Sequence, residues 1–452
     1  MPAAPADSAV YRRLFGDEEV AALFTDSAEI RAMLLVEGVL ARVQGRLGLI
    51  PQDAAALIDR ASREVQIDPA GLAAQVARDG VPVPALRAAF RAAVPGDAMG
   101  WAHWGATSQD IADTGLALRL RRVLAIWEGR LAALTAALGR LAEEQAELPM
   151  AARTYGQVAT RTSFGAVAAG WGWPLLEARD GLEALRPRLL RVSLGGAAGT
   201  LSAMGPRGPE VRAGVAAELG LADPGHGWHP DRSGIAALAG WAAGLAGTLG
   251  RMGEDMILMT QSGIGELRLP QAGGSSTMPQ KQNPVGPSAL VALSRQIIGL
   301  AATLQGAGLH RQQRDGAAWF QEWLTLPQLC LSTGRALSLA AELTEGAQPV
   351  AEAMAAALAD GFADAEALSF ALAETMPRDA AQAAVRRLAV EAAATGTPLT
   401  TLADRDHPIP GGWAARLGGA QALGTAPEEA RAFAAAAAAN GLSLRSGSPG
   451  SR

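Results

Sequence analysis

Apolar residues recur along this chain at three- and four-residue spacing, the period of an amphipathic helix, and alternating runs of Val, Ile, Thr and aromatics are almost absent. Between Ala28 and Leu49, Ile30, Leu34, Leu35, Val39 and Leu40 fall on one stripe while Arg31, Glu37 and Arg42 fall elsewhere, and Pro51 stops the helix. Longer helical stretches are expected over 116–148, 157–192, 233–262 and 285–310. About 30 helical residues span roughly 45 Å, so these lengths imply an extended bundle. The expected fold class is all-α.

Glycine and proline clusters break the pattern near Pro95, across Leu194 to Gly199, across Ala222 to Gly225 and from Pro270 to Pro287. Beyond residue 350 the helices shorten, interrupted at Pro377, Pro398, Pro408 and Pro410. Three helical domains are expected: 1–104 at the N-terminus, 105–350 as the central long-helix bundle, and 351–452 at the C-terminus. The tract Ala434 to Ala439 is a good helix former, and the Ser/Gly-rich tail from Arg445 to Arg452 is expected to be disordered.

Composition narrows the function. A chain of 452 residues with 49% hydrophobic content buries a large core. A formal charge of -5 without a basic run advertises neither a nucleic-acid nor an anionic-membrane surface, so a small soluble partner is expected. The single cysteine, Cys330, excludes an internal disulfide and fits a reducing cytoplasm. The first residues lack the basic start and apolar run of a signal peptide. Ser233 to Gly250 carries no charge and is long enough to be weighed as a membrane span. Its Ala and Gly content, with Arg232 and Arg251 at the ends, suits a helix buried on all sides of a bundle instead. His226 and His229 beside Asp223 and Asp231 lack a third spaced ligand, so neither a metal nor a cofactor is expected.

Three segments carry candidate chemistry. In His103-Trp-Gly-Ala-Thr-Ser-Gln-Asp110, Thr107 or Ser108 caps a following helix with Asp110 in its first turn; the same hydroxyls and amides also suit a carboxylate. His103 beside it either touches substrate, orients Ser108 or makes a structural hydrogen bond. Arg153-Thr-Tyr-Gly-Gln to Gly165 gathers Tyr155, Gln157 and Thr162 with two arginines, which a solvated helix start also explains. Gly273 to Pro284 places two hinge glycines before Ser275, Ser276 and Thr277, then Lys281, then Asn283 as expected N-cap with Pro284 at the first helical position. A polar surface loop accounts for this, but hinge glycines with rigid prolines suit a closing lid better.

Taken together and in this order, the three segments resemble the signature regions of the fumarase/aspartase superfamily, from about Leu14 to His407. The resemblance implies a homotetramer built on the central bundle, with each active site drawn from three subunits. It also implies chemistry beside a carboxylate through a carbanion whose charge spreads into that carboxylate. By the family pattern Ser275 exchanges the Cα proton, Lys281 and Asn283 stabilise the charge, and Thr107, Ser108, Gln157, Thr162 and His103 line the substrate.

Most lyases of the superfamily carry histidine where this chain has Tyr155. A tyrosine of pKa ~10 is a poor general acid for an amine leaving group. A reaction whose nucleophile is the substrate's own carboxylate needs no such acid. This departure, with Val192 to Thr200, Trp228 to Arg232 and Arg314 five residues before Trp319, resembles the cycloisomerase branch, which closes a lactone on a carboxylated muconate in aromatic catabolism. Arg314 then meets a carboxylate of a tricarboxylate substrate. Gln280, where that branch commonly has histidine, leaves substrate identity open to a C–N lyase; a non-catalytic, crystallin-like protein is the remaining alternative.

Overall fold

The computed structural model describes residues 4–446 except Pro95, 270–272, 275–277, 279 and 280. Its architecture is all-α, with three two-stranded ribbons among the described residues. Five long helices dominate: α1 (Ser108–Glu144), α2 (Phe164–Leu189), α3 (Ser233–Met259), α4 (Val285–Gly306) and α5 (Gly316–Gly346). The chain forms two compact units, Met1–Gly129 with Ala178–Gly247 and Leu293–Ala336, and Arg130–Glu177 with Thr248–Ala292 and Leu337–Arg452. This is a division in space, whereas the three expected domains divide the chain by sequence.

In the first unit the helix Asp26–Arg46 starts where the Thr25 hydroxyl accepts from the Ala28 amide at 3.2 Å. Ile30, Leu34, Val39 and Leu40 are buried as the stripe predicts, and they pack with Leu86, Phe90 and Val211. Two positions depart from the pattern. Leu35 is exposed, while Glu37, which the periodicity puts off the stripe, is buried. The second unit has its own apolar cluster around Leu368, Leu388, Leu399 and Trp413.

The expected helix over 157–192 starts late. Residues Pro149–Thr154 (β1) and Gln157–Ser163 (β2) form an antiparallel hairpin, and helix begins only at Phe164. The cause is local: Tyr155 (φ 53°) and Gly156 (φ 74°) both take the left-handed conformation that a tight hairpin turn of the primed type requires. Bidentate pairs then hold the hairpin, Arg153 on Glu266 at 2.8 Å and Arg161 on Asp364 at 2.5 and 2.8 Å.

Pro284 is not the first helical residue. Its carbonyl accepts from the Ser288 amide and α4 opens at Val285, which places Asn283 in a short ribbon, paired with Gly273. Nor is α3 buried on all sides: its most apolar window, like that of α4, is only 44% buried, and both helices are long and apolar enough to cross a membrane. The expected tail is partly ordered, because the last helix runs through Ser446; residues 447–452 lie outside the described residues.

Candidate active site

In the first unit the segment before α1 is built around Asp110, a fully buried carboxylate. It accepts from the amides of Thr107 (2.9 Å), Gly195 (2.8 Å) and Gly196 (2.9 Å) and contacts His229 Nε2 at 2.7 Å. The Thr107 bond is the return half of a helix cap, and the other two tie the glycine loop after α2 to the start of α1. Gly196 has φ 69°, and a Cβ there would lie 3.1 Å from the Gly105 carbonyl, so a side chain would be strained and tightly packed. These amides face Asp110, while the side chains of Thr107 and Ser108 are half-buried at the start of α1.

His103 is paired with Glu37. Its Nδ1 lies 2.6 Å from Glu37 Oε1, both side chains are almost buried, and the residue sits at φ 65°. Burial opposes the imidazolium, but the Glu37 carboxylate offsets this by charge and hydrogen bond, so the His103 pKa is raised above its ordinary value. Stability from the charged pair is therefore fully present below the unfolded-state value of about 6.5 and is lost as pH rises through the raised folded value. His103→Gln is expected to cost more stability at about pH 6 than at about pH 9. Denaturant midpoints measure this, and equal losses at both pH values would mean the pair is not ionised.

Arg314, which precedes α5, donates from Nε to Gln109 Oε1 at 2.9 Å and from Nη2 to the Ala197 carbonyl at 3.3 Å. His103, Thr107, Ser108 and Arg314 thus share one structured region. Beneath it lies a set of groups that sequence reasoning did not assign. Arg232 is buried between Asp113, at 2.7 and 3.2 Å, and Glu322, at 2.5 and 2.8 Å. The signal available was Gln109 and Asp113 four apart on one helical face, beside an otherwise apolar helix. His226 and His229 are engaged singly, with the Gly227 carbonyl and Asp110.

The second unit carries the remaining candidates. Tyr155 stands fully exposed at the hairpin tip, Gln157 is exposed and Thr162 is half-buried on β2. Lys281, exposed, and Asn283 line a cavity of about 780 Å³ with Thr260, Gln261 and Arg268. Arg268 escaped the sequence reading because it lies before the glycine-rich loop. Ser275 and Gln280 lie outside the described residues.

Long helices with a lysine-bearing, glycine-rich loop in one unit and Arg314 bound to Gln109 in the other are the features by which the chain can be compared with known enzymes. The chain matches the Lyase family over residues 17–299 and belongs to it, within the fumarase/aspartase superfamily. It is 41% identical over 368 residues to the 3-carboxy-cis,cis-muconate cycloisomerase of Pseudomonas aeruginosa, covering 80% of each chain. A nitrosuccinate lyase of Streptomyces davaonensis is 35% identical over 413 residues, 88% of this chain and 87% of that one. The crystal structure of 3-carboxy-cis,cis-muconate lactonizing enzyme from Pseudomonas putida superposes with a TM-score of 0.87 at 33% identity, covering 97% of this chain and all of that one.

Proposed function

We propose that this chain catalyses the cycloisomerisation of 3-carboxy-cis,cis-muconate to 4-carboxymuconolactone, a step of protocatechuate breakdown in the cytoplasm. The observation that carries this reading is the 41% identity across four-fifths of the chain to the 3-carboxy-cis,cis-muconate cycloisomerase of Pseudomonas aeruginosa. A substrate carboxylate oxygen adds to the double bond, and the adjacent carbon becomes a carbanion delocalised into a second carboxylate. Lys281, Asn283 and the start of α4 stabilise that charge. Ser275 delivers the proton to carbon and is reprotonated from water, so the closure takes up one proton. Thr107, Ser108, Gln157, Thr162 and Arg314 hold the carboxylates. No leaving group is expelled, which is consistent with Tyr155 where a general-acid histidine stands in related lyases. His103, whose Nδ1 is paired with Glu37, is oriented by that carboxylate and keeps its Nε2 for the substrate side.

The active unit in this reading is a homotetramer in which three subunits contribute one region each. The apolar residues Leu258, Ile298 and Leu324, exposed on α3, α4 and α5, suit burial by further copies of the chain. Purified protein incubated with 3-carboxy-cis,cis-muconate is expected to deplete its ultraviolet absorbance. Absence of any loss at high enzyme concentration would move the assignment to a lyase of the same superfamily, as the Streptomyces davaonensis relative is named.

A further inference from the structure

Resting on the reading that Arg314 meets a substrate carboxylate, we propose that Gln109 is the positioning residue for Arg314, acting as a neutral amide locked in one orientation. Gln109 is fully buried and its side chain makes three hydrogen bonds. Its Nε2 donates to Asp113 Oδ2 at 3.1 Å and to the His229 carbonyl at 3.0 Å; its Oε1 accepts from Arg314 Nε at 2.9 Å. The two acceptors decide which way the amide points. A flipped amide would set its oxygen against a buried carboxylate and a buried carbonyl while turning its NH₂ toward a guanidinium, three repulsions in place of three bonds.

Both acceptors are themselves held. Asp113 is fixed by Arg232, and His229 by Asp110, whose other bonds secure Thr107, Gly195 and Gly196. Position therefore passes from the buried Arg232 cluster through one amide to the guanidinium. Arg314 keeps its charge for substrate, because the carboxylate nearest it in sequence, Asp315, is occupied by Arg311 and by the amides of Ala317 and Ala318 at the start of α5. A glutamate in place of Gln109 would orient the guanidinium but cancel its charge. It would also bring an oxygen against Asp113.

The test compares Q109E, Q109M, R314Q and the double variants on the full-length enzyme with 3-carboxy-cis,cis-muconate. At about pH 8, Q109E is expected to raise KM roughly tenfold with kcat within about twofold. On lowering the pH to about 6, the introduced carboxyl takes up a proton, regains a donor for Asp113, and KM returns toward wild type. Q109M is expected to raise KM at both pH values. Neither substitution adds to the KM of R314Q, since both act through the same guanidinium. A purely structural role would give losses that do not recover with pH and that add to R314Q. Wild-type KM in Q109E and Q109M, or additivity with R314Q, overturns the inference while leaving the proposed activity standing. If Q109E does not fold, Q109M and its double variant decide. No turnover by the wild-type enzyme overturns the proposed activity and this inference with it.

Discussion

Ser275→Ala is expected to lower kcat by about three orders of magnitude while KM stays within about threefold, because the hydroxyl acts on the reacting carbon and not in substrate affinity. The expectation rests on the family pattern, in which the proton-carrying serine stands six residues before the lysine. A serine hydroxyl is a weak acid and its alkoxide a strong base, so it serves only where a cation stabilises the alkoxide and water is excluded. Lys281 is the cation in that reading. Lys281→Met is therefore expected to lower kcat by about two orders of magnitude, again with less effect on KM. Steady-state kinetics on protein of unchanged circular dichroism measures both. A Ser275→Ala enzyme with wild-type kcat would remove the proton-transfer assignment and leave lactonisation to another donor.

The second large effect concerns the fold. Arg232→Met is expected to destabilise the protein by about 3–5 kcal/mol, because it leaves Asp113 and Glu322, each with 1% of its side chain exposed, buried together without a cation. Glu322→Gln is expected to cost clearly less than Arg232→Met near pH 7. The cluster holds two carboxylates for one guanidinium, so one negative charge is surplus, and burial pushes the Glu322 pKa up against the lowering pull of Arg232. A carboxyl whose folded pKa is raised binds protons more tightly when folded, so its contribution falls as pH rises from the unfolded value toward the folded one. The amide removes that penalty and keeps one of the two hydrogen bonds to Arg232, while its NH₂ faces the other guanidinium N–H. Urea midpoints at several pH values distinguish the two variants; a Glu322→Gln loss as large as that of Arg232→Met would show that Glu322 carries a needed charge.

Residues differ in how far their roles could be read in advance. Ile30, Leu34, Val39 and Leu40 were legible because a helix converts sequence spacing into a face, and that face is buried. The hairpin at Tyr155 was not, since its Val, Thr and Ala content is ambiguous and the turn depends on two left-handed residues and on Glu266 and Asp364, more than 100 positions away. Glu37 was misplaced for a related reason: its burial is compensated by His103, 66 residues distant.

The sequence by itself determined the helical class, the candidate lysine loop and the residues that connect this chain to a carboxylate-handling superfamily, because periodicity and contiguous motifs are local properties. Tertiary structure decided which polar groups are free to act. It committed Asp110 to the Gly195 and Gly196 amides and His103 to Glu37, placed Arg232 between Asp113 and Glu322, and set Gln109 against Arg314. Each of those pairings joins segments remote in sequence, and a buried charge or amide takes its role from the partner that folding brings to it.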